Sequence, residues 1–348
     1  METPPPRWVR RLFITPLVFF AAAGLVLLSP ILHLVAAVLD LIFDRRRFRL
    51  TRFVGLGLAF CATEVFGLFT MLTVWIGSGF GWYMNRPFWI RANMVLCGQY
   101  MELITRAIRF YLGFGFHYTF EPFPADRPII LFSRHAGPGD AFLIIRVIIR
   151  DSHRQPHFVG AAKLQWDPFL DIIGERLDNH FLLQSPADPE AELQSIRDLA
   201  GRLGGHESLC IFPEGGNFTP ARRRRILESL KAHDRTDRLR RGQTLKHTLL
   251  PKTGGTVAAL EGAPDAVVLF VAHAGLEELY GFADLWSAVP LNRSVLAHSW
   301  TVLPDERPTD RDGLTAWLFD EWQKVDDWVD EQLVSGRTEG VLRPAPRP

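Results

Sequence analysis

Two long apolar runs at the start of the chain constrain its fold more than any other feature. Leu12 to Phe43 is broken by Pro16, Pro30, His33 and Asp40, and Phe53 to Tyr83 by Glu64 and several glycines. A bilayer core takes about 20 apolar helical residues to cross, and each run is long enough. The competing reading of either run is a buried core helix. With 47% hydrophobic residues overall and both runs in the first quarter, a membrane anchor is the better account. A cleaved secretory signal fits poorly, because the first run is too long and the second follows at once. Residues 1–84 are therefore expected to form an anchor with two hydrophobic segments, and the protein is expected at a membrane.

Arginines complicate the topology. Arg7, Arg10 and Arg11 precede the first run, and Arg45, Arg46, Arg47, Arg49 and Arg52 lie between the two. A simple two-span hairpin would put that loop across the bilayer from whatever follows, yet basic loops favour the cytoplasm. Pro30 splits the first run into Leu17–Ser29 and Ile31–Phe43, each expected to be too short to span. A re-entrant or interfacial anchor that keeps every arginine cluster on one face resolves the conflict.

Residues 85–335 read as one α/β domain. Apolar runs at Pro128–Phe132, His157–Ala161, Ser208–Phe212 and Ala266–Ala272 predict strands. Asp188–Leu203, Arg222–His233 and Thr253–Glu261 predict helices, and an apolar-periodic helix is expected from residue 85 to about Phe114. The alternation points to a mixed, largely parallel sheet covered by helices. Leu314–Leu333 carries a helical stripe of Trp317, Leu318, Trp322, Val325, Trp328, Val329 and Leu333, opposite an acidic face. Anionic headgroups would repel that face, so packing onto the domain is expected. Residues 336–348, rich in Pro and Arg, are expected to be a disordered tail.

Two strand ends carry chemistry. After Phe132 come His135 and Asp140, separated by Gly137, Pro138 and Gly139, which force a turn. Asp140 is placed to cap a helix reaching about Arg150. A carboxylate so placed fixes the tautomer of the imidazole and raises its basicity. After the second strand, Pro213 ends the run, Glu214 follows on the turn, and Gly215 and Gly216 offer backbone amides. Read alone, each stretch also fits an ordinary loop.

Taken together, His135…Asp140 and Phe212-Pro213-Glu214-Gly215-Gly216-Asn217 resemble the H-x-x-x-x-D and F-P-E-G-T-R motifs of the glycerolipid acyltransferase superfamily, its PlsC-like lysophosphatidic acid acyltransferase group. Leu245 to Thr256 is similar to the L-P-R-T-x-G segment of the eukaryotic-type branch. The resemblance implies a membrane-bound O-acyltransferase that moves a fatty acyl group from acyl-CoA, or acyl carrier protein, to a hydroxyl of a lysophospholipid such as 1-acylglycerol-3-phosphate. His135 would be the general base and Asp140 its orienting partner. Gly215 and Gly216 would position substrate or steady the oxyanion, and Glu214 would contact the acceptor. No cofactor is implied beyond acyl-CoA as donor substrate, and the catalytic domain would face the cytoplasm.

The departures from the pattern matter as much. Gly216 and Asn217 replace Thr-Arg, and Asn179 to Pro186 lacks the arginine usual between the two motifs. Neither Asn nor Gln reproduces the bidentate, permanently charged grip of Arg on phosphate. Lys252 and Arg222, the first of the run Arg222–Arg225, are the cations placed to compensate. The alternatives are a glycolipid or other lipid acceptor, or a catalytically inactive lipid-binding relative. That basic zone, extended by Arg235, Arg238, Arg240 and Arg241, reads equally as a solvated helix face or as a contact for CoA phosphates and anionic headgroups. Nucleic acid is not expected, given a net charge of +1 and the apolar start. Cys61, Cys97 and Cys210 form no metal-ligand or disulfide pattern, and no metal site is expected. The G-x-S-x-G nucleophile elbow of serine lipases does not occur.

Overall fold

The computed structural model describes residues 3–120, 124, 126–137, 139–183 and 188–336. The chain divides into two compact units. One comprises Met1–Phe114, Phe142–Pro186 and Ala288–Leu291; the other comprises Gly115–Ala141, Ala187–Ser287 and Asn292–Pro348. The expected tail lies, beyond Gly336, outside the described residues.

The chain begins with helices. α1 (Arg7–Val9) passes through a π turn, Arg10–Ile14, into α2 (Thr15–Leu27), so Arg7–Leu27 is one continuous run of helix. α3 (Ser29–Phe43) starts after a break at Leu28, where Pro30 has no N–H to offer the carbonyl four residues back. α4 (Arg49–Gly77) and α5 (Pro87–Ile108) follow. Arg7–Leu27, 21 residues, and Arg49–Gly77, 29 residues, are long and apolar enough to cross a membrane. This corrects the expectation that both arms of the first run are too short. The first arm extends back to Arg7 because Arg10 and Arg11 pair with Asp171 at 3.0 and 2.9 Å, which lets the basic turn join the helix.

The rest of the chain alternates. β1 (Phe114–Thr119) and β2 (Ile129–Ser133) lead to α6 (Asp140–Arg146), β3 (Gln155–Ala161), α7 (Pro168–Arg176) and β4 (His180–Leu182). Then come α8 (Pro189–Gly201), β5 (Glu207–Ile211), α9 (Pro220–Ala232), α10 (Thr236–Thr244) and α11 (Thr253–Gly262). β6 (Val267–Ala274), α12 (Phe282–Ala288), β7 (Arg293–Val302) and α13 (Arg311–Val334) complete the fold. Three of these helices start the same way, with Pro at the first turn behind a capping side chain. Asp167, Asp188 and Thr219 each accept an N–H of the first turn of α7, α8 and α9.

In the first unit α4 packs along α5. Met71, Tyr100, Met101, Ile104, Phe169 and Ile173 form its core, with Tyr100 stacked on Phe169 at 3.6 Å between centroids. β3 and β4 pair in parallel there, Val159 opposite His180. In the second unit the strand order is β1-β7-β6-β2-β5. β2 lies parallel to both β5 and β6, whereas β6 and β7 are antiparallel. The expected mixed, largely parallel sheet is what forms. Every residue of β2 and β6 is buried, as central strands covered on both faces require. α13 packs on β6 and α11, burying Leu314, Leu318, Trp322, Val325 and Val329. The C-terminal stripe is thus a packing face, as expected.

Candidate active site

Register brings the two motifs together. Phe132 of β2 is level with Ile211 of β5, and Ser133 with Val271 of β6. The carboxyl ends of three parallel strands therefore open at one height, the usual place for a site in an α/β sheet. His135, Glu214 and His273 emerge from these ends.

His135 Nδ1 lies 3.0 Å from both oxygens of Asp140. Asp140 is 2% exposed and also accepts the N–H groups of Ala136, Gly137 and Ala141 at 2.9, 3.2 and 2.7 Å. A carboxylate with that many donors stays ionised. Burial pushes its pKa up, but the hydrogen bond and charge of His135, the charge of His273 and the Gly137 amide carry it below the ordinary value. Burial likewise opposes charge on His135, yet Asp140, with help from Glu214, lifts the imidazole above its ordinary pKa. Among the described residues Nε2 has no hydrogen-bond partner, so it is the nitrogen available to a ligand. The Phe212 ring sits against the imidazole, centroids 4.7 Å apart.

Glu214 occupies a place the sequence did not suggest. It is 2% exposed; Oε1 accepts the N–H of His135 at 2.8 Å and Oε2 the N–H of Leu249 at 2.7 Å. Both oxygens hold protein backbone, tying His135 to the loop before α11. Burial pushes this carboxyl up to about 7 against the pull of Arg134 and the two amides. The Gly215 N–H closes the turn on the Phe212 carbonyl at 3.0 Å. Gly216 N–H has no partner among the described residues.

Lys252 and Arg222 both lie beside this turn. The Lys252 N–H donates to the Pro213 carbonyl at 2.8 Å, and its Nζ lies 2.8 Å from where a Cβ on Gly215 would be. The Arg222 guanidinium fills the space beside Gly216, and its Nη2 donates to the Gly215 carbonyl at 3.4 Å. Gly216 has φ +154°, and a side chain there would also collide with that guanidinium. The rest of the basic zone divides. Arg223 donates to the Leu245 carbonyl at 2.8 Å, Arg241 pairs with Asp320 at 2.6 Å, and Arg224 and Arg225 are exposed.

Sequence reasoning missed Arg134. It is fully buried next to His135 in the chain, donating to the His273 carbonyl, to Glu277 Oε1 at 2.6 Å and to the His247 carbonyl at 2.8 Å. A charged residue directly after a buried strand was the available signal, since buried arginine requires partners. His273, 2% exposed, is 2.9 Å through Nε2 from the Arg134 carbonyl and 3.7 Å from Asp140. Among the described residues no group of three or more His, Cys, Asp or Glu is arranged to hold a metal.

Residues 116–265 match the family model named Acyltransferase. Among solved structures the chain resembles the 1-acyl-sn-glycerophosphate (LPA) acyltransferase PlsC from Thermotoga maritima, with 16% identity and a TM-score of 0.45, over 78% of this chain and 96% of that one. No curated protein matches.

Proposed function

We propose that this chain, whose residues 116–265 match the Acyltransferase family model, is a membrane-associated lipid O-acyltransferase with His135 as general base. The carrying observation is the His135–Asp140 pair at the strand ends, with Nδ1 engaged at 3.0 Å and Nε2 open. A thioester needs no covalent enzyme intermediate, because its thiolate already leaves readily. What it needs is a more nucleophilic hydroxyl. Nε2 takes the hydroxyl proton as the oxygen attacks the thioester carbonyl carbon. Collapse of the tetrahedral intermediate breaks the C–S bond, and the imidazolium returns its proton to the departing thiolate. Asp140 holds the tautomer and stabilises the imidazolium. The Gly216 N–H is the candidate donor to the oxyanion.

The donor is acyl-CoA or acyl carrier protein, and the acceptor is a lysophospholipid. Support for a phosphate on the acceptor comes from Arg222 and Lys252, which converge on the turn after Glu214 with no carboxylate partner among the described residues. Membrane association rests on the two apolar helices. An interfacial rather than crossing placement of α4, with the catalytic domain on the cytoplasmic side, fits its coating by α5.

The test is transfer of labelled acyl groups from acyl-CoA to lysophosphatidic acid, monoacylglycerol and a glycolipid, comparing wild type with His135→Ala. Removing a general base is expected to lower kcat about 10²–10⁴-fold. Equal labelling by both proteins rejects His135 as base. Labelling of the glycolipid alone moves the acceptor out of the phosphate class.

A further inference from the structure

The helix farthest along the chain holds the loop on which the base depends. Asp326 of α13 is 1% exposed and accepts three successive backbone N–H groups, from Lys246 and His247 at 2.8 Å and from Thr248 at 2.7 Å. The Thr248 hydroxyl adds a fourth bond at 2.9 Å. Few side chains other than a carboxylate meet so many donors at once, because it alone is purely an acceptor with several lone pairs. The neighbouring turns of α13 reinforce the grip. Asp330 takes Lys246 Nζ at 2.7 Å and His247 Nε2 at 2.8 Å, and Trp322 Nε1 donates to the Leu249 carbonyl at 3.1 Å.

That loop feeds the site from two sides. Leu249, the next residue after the clamped three, donates its N–H to Glu214 Oε2, and Glu214 Oε1 takes the N–H of His135. The His247 carbonyl accepts from Arg134, the residue before His135. α13 lies beyond residues 116–265, so this support comes from outside the family domain.

We infer that Asp326 is a positioning residue for His135: it sets the loop 246–249, and through Glu214 and Arg134 it sets the backbone that aims the imidazole. The inference rests on the proposed acyl transfer for its kinetic arm. Asp326→Asn keeps the shape but turns an NH₂ toward backbone donors, releasing part of the loop. A misplacement of the base by about 1 Å costs on the order of 10²-fold. The variant is expected to lose about 10–100-fold in kcat, with KM for donor and acceptor changed less than about threefold.

Glu321→Gln is the matched control. Glu321 is a buried carboxylate on the same helix, accepting Trp300 Nε1 at 3.0 Å and Lys324 Nζ at 2.6 Å, with no bond to the loop. It is expected to keep the wild-type kcat. Hydrogen–deuterium exchange of the amides of residues 246–249 should quicken in Asp326→Asn and not in Glu321→Gln, whether or not the chosen acceptor is the right one. Wild-type exchange in Asp326→Asn, or an equal loss of kcat in both variants, overturns the inference. Absence of transfer by the wild type counts against the proposed function, while the exchange arm still decides the loop.

Discussion

At the scale of single residues the site is a set of carboxylates, each spent differently. Asp140 is surrounded by donors and held ionised; Glu214, equally buried but with only two amides, is pushed up to about 7. The consequence for pH follows from the signs. In its proposed role as base His135 acts when neutral, and its pKa is raised, so the acid limb of kcat/KM should lie above the ordinary imidazole value. Asp140→Asn removes both the hydrogen bond and the charge that lift it. The Glu214 charge still acts to raise the imidazole, while burial and Arg222 act to lower it. The acid limb is therefore expected to move to lower pH while kcat falls about 10²–10⁴-fold, read from a pH profile of acyl transfer. A limb that stays in place would show that another group titrates there. The His135–Asp140 contact was legible because a loop forced by Gly137 and Gly139 leaves few other directions for the pair. The role of Glu214 was not: whether a carboxylate meets solvent or backbone depends on Leu249, 35 positions away, and no local pattern reports that contact.

At the scale of elements, the turn after Glu214 and the start of α9 work as one piece. Thr219 caps α9 by accepting the Arg222 N–H at 3.1 Å, and the first helical turn swings the Arg222 guanidinium back over Gly216. An arginine five residues after Asn217 thus stands beside the turn where the F-P-E-G-T-R pattern places one directly. Arg222→Gln is expected to raise KM for a phosphorylated acceptor about tenfold and to leave KM for an unphosphorylated one unchanged. Gly216→Ala should reproduce that effect by displacing the guanidinium, with added strain at φ +154°. A rise of equal size for both acceptors would assign the pair to the donor phosphates. Strands β2, β5 and β6 were readable as apolar runs because central strands are buried on both faces. β7 alternates between buried and half-buried positions and includes His298, Ser299 and Thr301, so it has no such run. β1 begins at Phe114, where the helical pattern of α5 still appeared to continue; the chain turns at Gly113 instead, at φ +71°.

At the scale of the whole molecule, the proposed membrane association asks how the apolar amino-terminal region would meet a bilayer. α4 is long enough to cross, about 43 Å at 1.5 Å per residue. Yet one side of it is coated by protein along its length. Gly55 lies against Tyr111, Gly67 against Phe169 and Tyr100, and Gly77 against Trp89. Midway, the buried Glu64 carboxylate accepts the Tyr100 hydroxyl at 2.9 Å and the Phe169 N–H at 3.1 Å. α5, the helix beside it, exposes Arg91, Gln99 and Arg106, which hydrocarbon would not tolerate. The opposite side of α4 presents Phe66, Phe69, Leu72 and Ile76, and the segment after it presents Phe80, Trp82 and Tyr83. A helix with one protein face and one apolar, aromatic-ended face suits the headgroup–acyl boundary better than the bilayer centre. Arg10 and Arg11, held on Asp171, then stay on the same side as α7. Single-cysteine variants in a background lacking Cys61, Cys97 and Cys210 decide this. Arg46→Cys in the basic loop and Lys163→Cys before α7 are both exposed positions. An impermeant maleimide added to sealed inverted vesicles is expected to label both, because an interfacial anchor leaves both on the cytoplasmic side. Labelling of Lys163→Cys alone would mean that α4 crosses, and the arginines of the loop would then lie on the far side against the usual charge bias.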